Sequence, residues 1–324
     1  MIYAPGAMIL SSPSRNAPDL LSEVLTVLGA RSIRRTRLEA AGDWALAFPA
    51  QARLKFVAVL RGGCWILLPG QPPRALAAGD VFLVGDTAYT VASDPEVTAA
   101  DGMATYSTPD QDTVRLGGDE TVMLGGGIAF AGEEAGFLLD ALPRFMHAAR
   151  GAPSASAVTR TLDLLDAEAG QPGLGSALVT MRLADILLVE AIRAYVADHG
   201  EASSGWIGAL ADRRIGQALR LMHSDIAFPW TVEALAARIG MSRSAFASLF
   251  TRRVGRPPLD YLTHWRMALA RRLLDRQGAD AAGVAARVGY ASQSAFGHAF
   301  KRTFGHSPRR GERMARAMLP TTPD

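Results

Sequence analysis

The sequence predicts a two-domain α+β protein: an N-terminal antiparallel β-barrel followed by helices, then a C-terminal all-α domain carrying a double helix-turn-helix. Three observations predict it. A pattern near the C-terminus occurs twice, short strand-like segments broken by Gly, Pro and Asp fill the first third, and charge is divided unequally along the chain. The repeat is the strongest of the three. EALAARIGMSRSAFASLF (Glu233 to Phe250) is echoed by AGVAARVGYASQSAFGHAF (Ala282 to Phe300). Ala236, Ala237, Arg238 and Gly240 recur 49 positions on, and Ser242, Ser244, Ala245, Phe246, Phe250 and Gly255 recur 50 positions on. Each copy holds a short apolar-periodic helix, a Gly-centred turn, a Ser N-cap and a second helix, the arrangement that lays its second helix in a DNA major groove.

The charge pattern agrees. From Trp230 onward there are 16 Lys or Arg against 6 Asp or Glu; the preceding residues carry 18 against 25, which together give the net +3 of the chain. A basic C-terminal third beside an acidic remainder is the footprint of a nucleic-acid-binding module. At 324 residues, 49% apolar and 20% charged, the chain is long enough for two cores and is not of disordered composition. Cys64 is the single cysteine, which excludes an internal disulfide and a Cys-based zinc site. The N-terminus lacks a basic leader region and no apolar run has membrane length, so the expectation is a cytoplasmic protein without a membrane partner.

In chain order, residues before Asp19 read as a loose tail rich in Pro and Ser. The first domain is placed at residues 15–199, with a barrel at about 30–110 and helices at about 133–199. Asp19 to Gly29 has helical periodicity. Leu54–Leu60 and Cys64–Leu68 read as strands turned by Gly62-Gly63, and Val81–Val84 as a strand after the Gly79-Asp80 turn. From Glu133 the pattern is helical, ending in a long segment whose Leu178, Met181, Leu183, Ile186, Leu187, Val189, Ile192 and Val196 form a wide apolar stripe. Gly200 to Trp206 reads as a linker, and the DNA-binding domain is placed at 207–316.

The Arg61-Gly62 turn, Cys64-Trp65 and the LAAGD turn of Leu76 to Asp80 resemble the cupin-type N-terminal domain of AraC-family regulators. Many cupins hold a metal with several His and one Glu, but the first histidine here is His147, and Ala88-Tyr89-Thr90 stands where a second-motif His belongs. The expectation is therefore no metal, no cofactor and no catalytic residues. Phe56, Trp65, Phe82 and Tyr89 are the candidate lining of an effector pocket in the barrel mouth, each also an ordinary core residue. Cys64 reads as a small buried hydrophobe, with a redox-sensing thiolate as the other option.

Within the second domain, a first helix spans about Ala209 to His223. Thr231 caps the next, Ser242 caps the first recognition helix, Leu259 to Asp275 forms a long connecting helix, Asp280 caps a fifth, and Ser292 caps the second recognition helix. With Phe246, Leu249, Phe250, Phe296, Phe300 and Phe304 inward, the outward faces carry Arg243, Ser244, Ala247, Ser248, Thr251 and Arg252, then Gln293, Ser294, Gly297, His298, Lys301 and Arg302. Small residues of the first helix can touch a thymine methyl or make one hydrogen bond, whereas Gln293 can pair with adenine. Arg266, Arg271 and Arg272 of the long helix read as outward, either solvated or on phosphates.

The run RVGYASQSAFGHAFKRTFGHSPR (Arg287 to Arg309), with WTVEALAARIGMSRSAF and PLDYLTHWRMALARRLL, resembles the signature of AraC/XylS-family transcription regulators. The resemblance implies double-stranded DNA as partner, with both recognition helices in successive major grooves. It also implies homodimerisation through helices ahead of the linker, an unidentified small-molecule effector, contact with RNA polymerase, and most often activation. The competing class is a metal-dependent cupin enzyme fused to a DNA-targeting module, against which the missing histidines stand.

Overall fold

The computed structural model describes residues 19–27, 31–51, 53–107, 112–129, 143–171, 173–200, 205–275 and 280–308. After helix α1 (Leu20–Val27) come β1 (Arg31–Ala40), β2 (Ala45–Phe48), β3 (Leu54–Arg61), β4 (Gly63–Leu67), β5 (Arg74–Ala77), β6 (Val81–Val84), β7 (Tyr89–Ala92) and β8 (Ala100–Asp101). A short helix α2 (Gly102–Thr105), β9 (Thr113–Leu116), β10 (Thr121–Ala129) and β11 (Phe145–Ala148) complete the β-rich part. The strands form a six-stranded sheet, β11-β6-β3-β10-β1-β9, and a five-stranded sheet, β5-β4-β7-β2-β8.

One apolar core lies between the sheets, built from Leu38, Leu46, Val57, Val59, Cys64, Ile66, Phe82, Tyr89, Val91 and Met123 among others. The opposite face of the six-stranded sheet is covered by helices α3 (Ser156–Gly170) and α4 (Ser176–His199). The period of two along β3 divides its side chains: Leu54, Phe56 and Ala58 go to the helices, while Val57 and Val59 go to the interior. Cys64 is buried there, and burial, with Asp80 adding to it, pushes its thiol up to about 12. That side chain is inert packing, since the thiolate is the reactive form.

The strands continue past the expected barrel end near residue 110. β10 is central, pairing β1 on one side and β3 on the other. Gly125, Gly126 and Gly127 blank out its alternation, so the sequence hid it. Phe145–Ala148, expected to be helical, is an edge strand on β6; cross-strand pairing overrides its local pattern. The pairing is not wholly antiparallel, since β1/β9 and β2/β8 run parallel. The expected N-terminal tail, and the first residues of the expected helix after Glu133, lie outside the described residues.

The helical domain comprises α5 (Gly205–Ala211), α6 (Arg213–Ser224), α7 (Val232–Arg238), α8 (Arg243–Val254), α9 (Pro258–Leu274), α10 (Ala281–Arg287) and α11 (Gln293–Phe304). Two differences from the sequence reading matter. Gly205 and Trp206, expected to be linker, open α5, and Trp206 is fully buried against α8. The expected single helix Ala209 to His223 is broken at Asp212, whose carboxylate caps α6 by accepting from the N–H groups of Arg214 and Ile215. No helix among the described residues is long and apolar enough to cross a membrane.

Candidate nucleic-acid interface

The two repeated units agree cap for cap. Thr231 Oγ1 accepts from the Ala234 N–H at 3.0 Å, and the Asp280 carboxylate from Gly283 at 2.9 Å, starting α7 and α10. Ser242 Oγ accepts from Ala245 at 3.3 Å, and Ser292 Oγ from Ala295 at 3.2 Å, starting α8 and α11. Each recognition helix ends on a left-handed glycine, Gly255 and Gly305. Phe246, Phe250 and Val254 bury one face of α8; Phe296, Phe300 and Phe304 bury the matching face of α11. The inward faces fix which side chains look out.

On α8 the exposed set includes Arg243, Ser244, Ser248, Thr251 and Arg252, with Ala247 half-buried. On α11 it includes Gln293, Ser294, His298, Lys301 and Arg302, with Gly297 half-buried. All twelve sequence-predicted positions therefore lie on the two helix faces turned away from the cores. Two of them have local commitments. Arg243 Nε reaches Glu233 Oε1 of α7 at 2.6 Å, and Thr251 Oγ1 donates to the Ala247 carbonyl at 2.8 Å. In that rotamer the Thr251 hydroxyl has no proton left for a phosphate.

The long helix α9 sets the relation of the two units. Its Tyr261, Leu262, Trp265 and Ala268 belong to the core of the first unit, and its Met267, Ala270, Leu273 and Leu274 to that of the second. Arg266, expected to face outward, does not. Its Nε donates to the Ile226 carbonyl at 2.9 Å and its Nη2 to the Phe228 carbonyl at 2.7 Å, with Tyr290 beside its guanidinium. It ties the loop before α7 to the turn after α10, and a spacing-based reading had no signal for that.

The four side chains expected to line an effector pocket are scattered. Phe56 faces α3 and α4, the wrong side of its strand. Trp65 alternates with the inward Cys64 and Ile66 and is only half-buried. Phe82 is inside but belongs to the solid core beside Phe145. Of the four, Tyr89 lines a cavity, together with Lys55, which the sequence reading did not single out. A one-residue step in a strand reverses the face, and aromatic content alone does not reveal which face is which. Among the described residues, no three His, Cys, Asp or Glu side chains gather where they would hold a metal ion.

Residues 19–197 match the cupin family, and residues 235–313 the helix-turn-helix domain family. Over 293 residues the chain is 40% identical to a protein described as an AraC-like transcription regulator in Streptomyces antibioticus, covering 90% of this chain and 97% of that one. This chain belongs to the AraC family of transcription regulators. Another family relative, the HTH-type transcriptional regulator AlkR of Acinetobacter baylyi, is 30% identical over 305 residues, 90% of this chain and 98% of its own. Among solved structures, the DNA-binding domain of the transcriptional factor AdpA, in complex with a target DNA, is 32% identical, covering 33% of this chain and 96% of that one with a TM-score of 0.32. The AraC-family chain is thus a DNA-binding regulator with an N-terminal cupin domain, and its relatives are transcription regulators rather than enzymes.

Proposed function

We propose that this AraC-family protein binds a two-segment operator as a homodimer, answers to a small molecule held in its cupin domain, and activates transcription through contact with RNA polymerase. The observation that carries the DNA part is the pair of matched recognition helices, each with an aromatic inner face and a polar, basic outer face. On α11, Gln293 reads adenine and His298 donates to a guanine or a phosphate. Lys301 and Arg302, with Arg252 on α8, hold phosphates and set register without reading sequence. Ser244, Ala247 and Ser248 offer single contacts. Ser294 and Gly297 permit close approach of the α11 backbone.

The dimer part is supported by α4, which leaves Leu178 58% and Ile186 48% exposed, with Val179 and Met181 beside them. An apolar strip on a long helix fits a second copy of the same helix. Binding-site selection with the purified full chain, followed by transcription from the selected site, tests the proposal. The expected product is two conserved segments about one helical turn apart, with transcription raised from a promoter carrying them. A single short segment, or a lowered output, would overturn the corresponding part.

A further inference from the structure

The cupin domain holds a two-lobed, half-open cleft whose described lining combines Lys55 and Arg53 with apolar and neutral polar side chains and contains no acid. One lobe encloses about 340 Å³ of space including its mouth, and the other about 230 Å³. Lys55, Phe48 and Tyr89 belong to both. Lys55 enters because β3 alternates: it lies on the face of Val57, opposite Leu54 and Phe56. No hydrogen bond or ion pair meets its ammonium among the described residues. The Phe48 ring lies 5.1 Å from Nζ. Two positions earlier on the same face, Arg53 lines the second lobe, also without a carboxylate.

One polar group of the lining is left unsatisfied. The Tyr89 hydroxyl is buried and has no hydrogen-bond partner. Among the described residues, no Asp or Glu lines either lobe. Next to the ammonium stands Gly125, where an added Cβ would fall 3.7 Å from Lys55 Nζ and 2.7 Å from Thr36 Oγ1, so the glycine keeps that space open. A largely buried ammonium, a half-buried guanidinium and an idle phenol facing one half-open cleft make a place for an anion, because buried charge is ordinarily paired. Leu38, Leu46, Val57, Val91 and Met123 add an apolar wall, with Thr36 and Tyr106 beside it.

We propose that this cavity is the effector site of the cupin domain, and that it takes a compact organic carboxylate. Its charge sits between Lys55, Arg53 and the Tyr89 hydroxyl, and its apolar body lies against Phe48, Leu46 and Met123. The closed part of the cleft has only about 30 Å³ of room in its first lobe, so the ligand is compact and its apolar body reaches from the open mouth onto that wall. The proposal rests on the reading that this regulator answers to a small molecule, and names the chemistry of that molecule. An inorganic anion would leave the apolar wall unused, and a neutral molecule would leave both cations unpaired.

The test uses the full chain and titration calorimetry with benzoate and hexanoate, beside benzyl alcohol, hexanol and inorganic phosphate. At least one of the two carboxylates is expected to bind, its neutral counterpart and phosphate at least about tenfold more weakly, since a desolvated charge pair carries the difference. Lys55→Met should weaken that carboxylate by about tenfold or more while leaving circular dichroism and DNA binding unchanged. Tyr89→Phe, which keeps the ring, should weaken it by a smaller factor and guards against a folding defect in the first variant. No binding of either carboxylate, preference for the alcohols or phosphate, or full affinity in Lys55→Met would overturn the site. Transcription from the selected operator separates the two readings. A carboxylate that binds through Lys55 yet leaves transcription unchanged keeps the site and removes its effector role. Transcription that responds to another molecule through a Lys55-independent site removes the site and keeps the ligand response.

Discussion

At the scale of single residues, the proposed function gives reading and holding to different side chains of the recognition helices. Gln293 can make a bidentate pair with a base edge, and Lys301 a point contact with a phosphate. Gln293→Ala is expected to cost about 1–3 kcal/mol on the preferred site and to relax choice at one base position. Lys301→Ala should weaken all sequences alike and lower the salt slope by about 0.9, one released counterion. Fluorescence titration on selected and scrambled duplexes over a salt series distinguishes these outcomes; equal loss on both duplexes in Gln293→Ala would refute its reading role. In the cupin domain, burial, with the Arg53 charge adding to it, lowers Lys55 to about 8 from 10.5. Thr36, Phe48, Arg53, Tyr89, Tyr106 and Gly125 line the cavity lobes around it, and none offers a negative charge at neutral pH. Between those two values the unfolded chain keeps a proton that the folded chain has lost, so this group's contribution to stability rises with pH across that window. Lys55→Met should therefore stabilise the free protein by about 1–2 kcal/mol at pH 7 and by less at pH 10, read from urea unfolding.

At the scale of elements, equivalent turns of the repeat carry unequal loads. Gly240 has φ +69° with open space around its missing side chain. Gly289 has φ +81°, and a Cβ there would stand 2.8 Å from the Ala227 carbonyl oxygen and 2.8 Å from Arg266 Nη2. Gly240→Ala should cost about 1–2 kcal/mol, the left-handed backbone term alone. Gly289→Ala should cost about 3 kcal/mol or more, because it also displaces the Arg266 tether. Equal costs in chemical unfolding would show that the tether is dispensable. The start of the helical domain is decided by Trp206, whose Nε1–H donates to the Tyr261 hydroxyl at 3.0 Å in the core. A fragment beginning at Gly205 should fold. One beginning at Ile207 should be about 3–5 kcal/mol less stable, the cost of emptying a large aromatic site. Thermal unfolding of the two fragments checks this.

At the scale of the whole molecule, the two helix-turn-helix units are attached differently. The first shares one continuous apolar cluster with α4 and the underside of the barrel, running through Trp206 and Ile207. The second has a separate core on the far half of α9. Across the domain boundary His223 Nδ1 lies 3.3 Å from the Glu23 carboxylate of α1, and its Nε2 lies 2.9 Å from the Tyr261 hydroxyl. Change in the cupin domain thus has a packed route to α8 first. If α4 also joins two copies, a double Leu178→Glu, Met181→Glu variant should sediment as a monomer. It should bind a two-copy operator about a hundredfold more weakly, since linked modules gain effective concentration, and a single copy as before. Unchanged mass in sedimentation would remove the α4 interface.

The DNA-binding domain was legible because its determinants are local. Ser242, Ser292, Gly240 and Gly289 act within a few residues of where they stand, and Phe246, Phe250, Phe296 and Phe300 recur at helical spacing, so faces follow from sequence distance. The cupin domain was legible only as a class. β10 and β11 escaped because glycines masked one alternation and distant pairing with β6 imposed the other. Phe56 and Lys55 are neighbours in sequence, and only the stacking of helices on one side of the sheet and a second sheet on the other decided which of them faces the cavity. Arg266 and Trp206 acquired their roles from partners 38 and 55 residues away. Caps and periodicities are short-range and are written in the chain; the face of a strand and the partner of a buried polar group are long-range, and the packed structure alone assigns them.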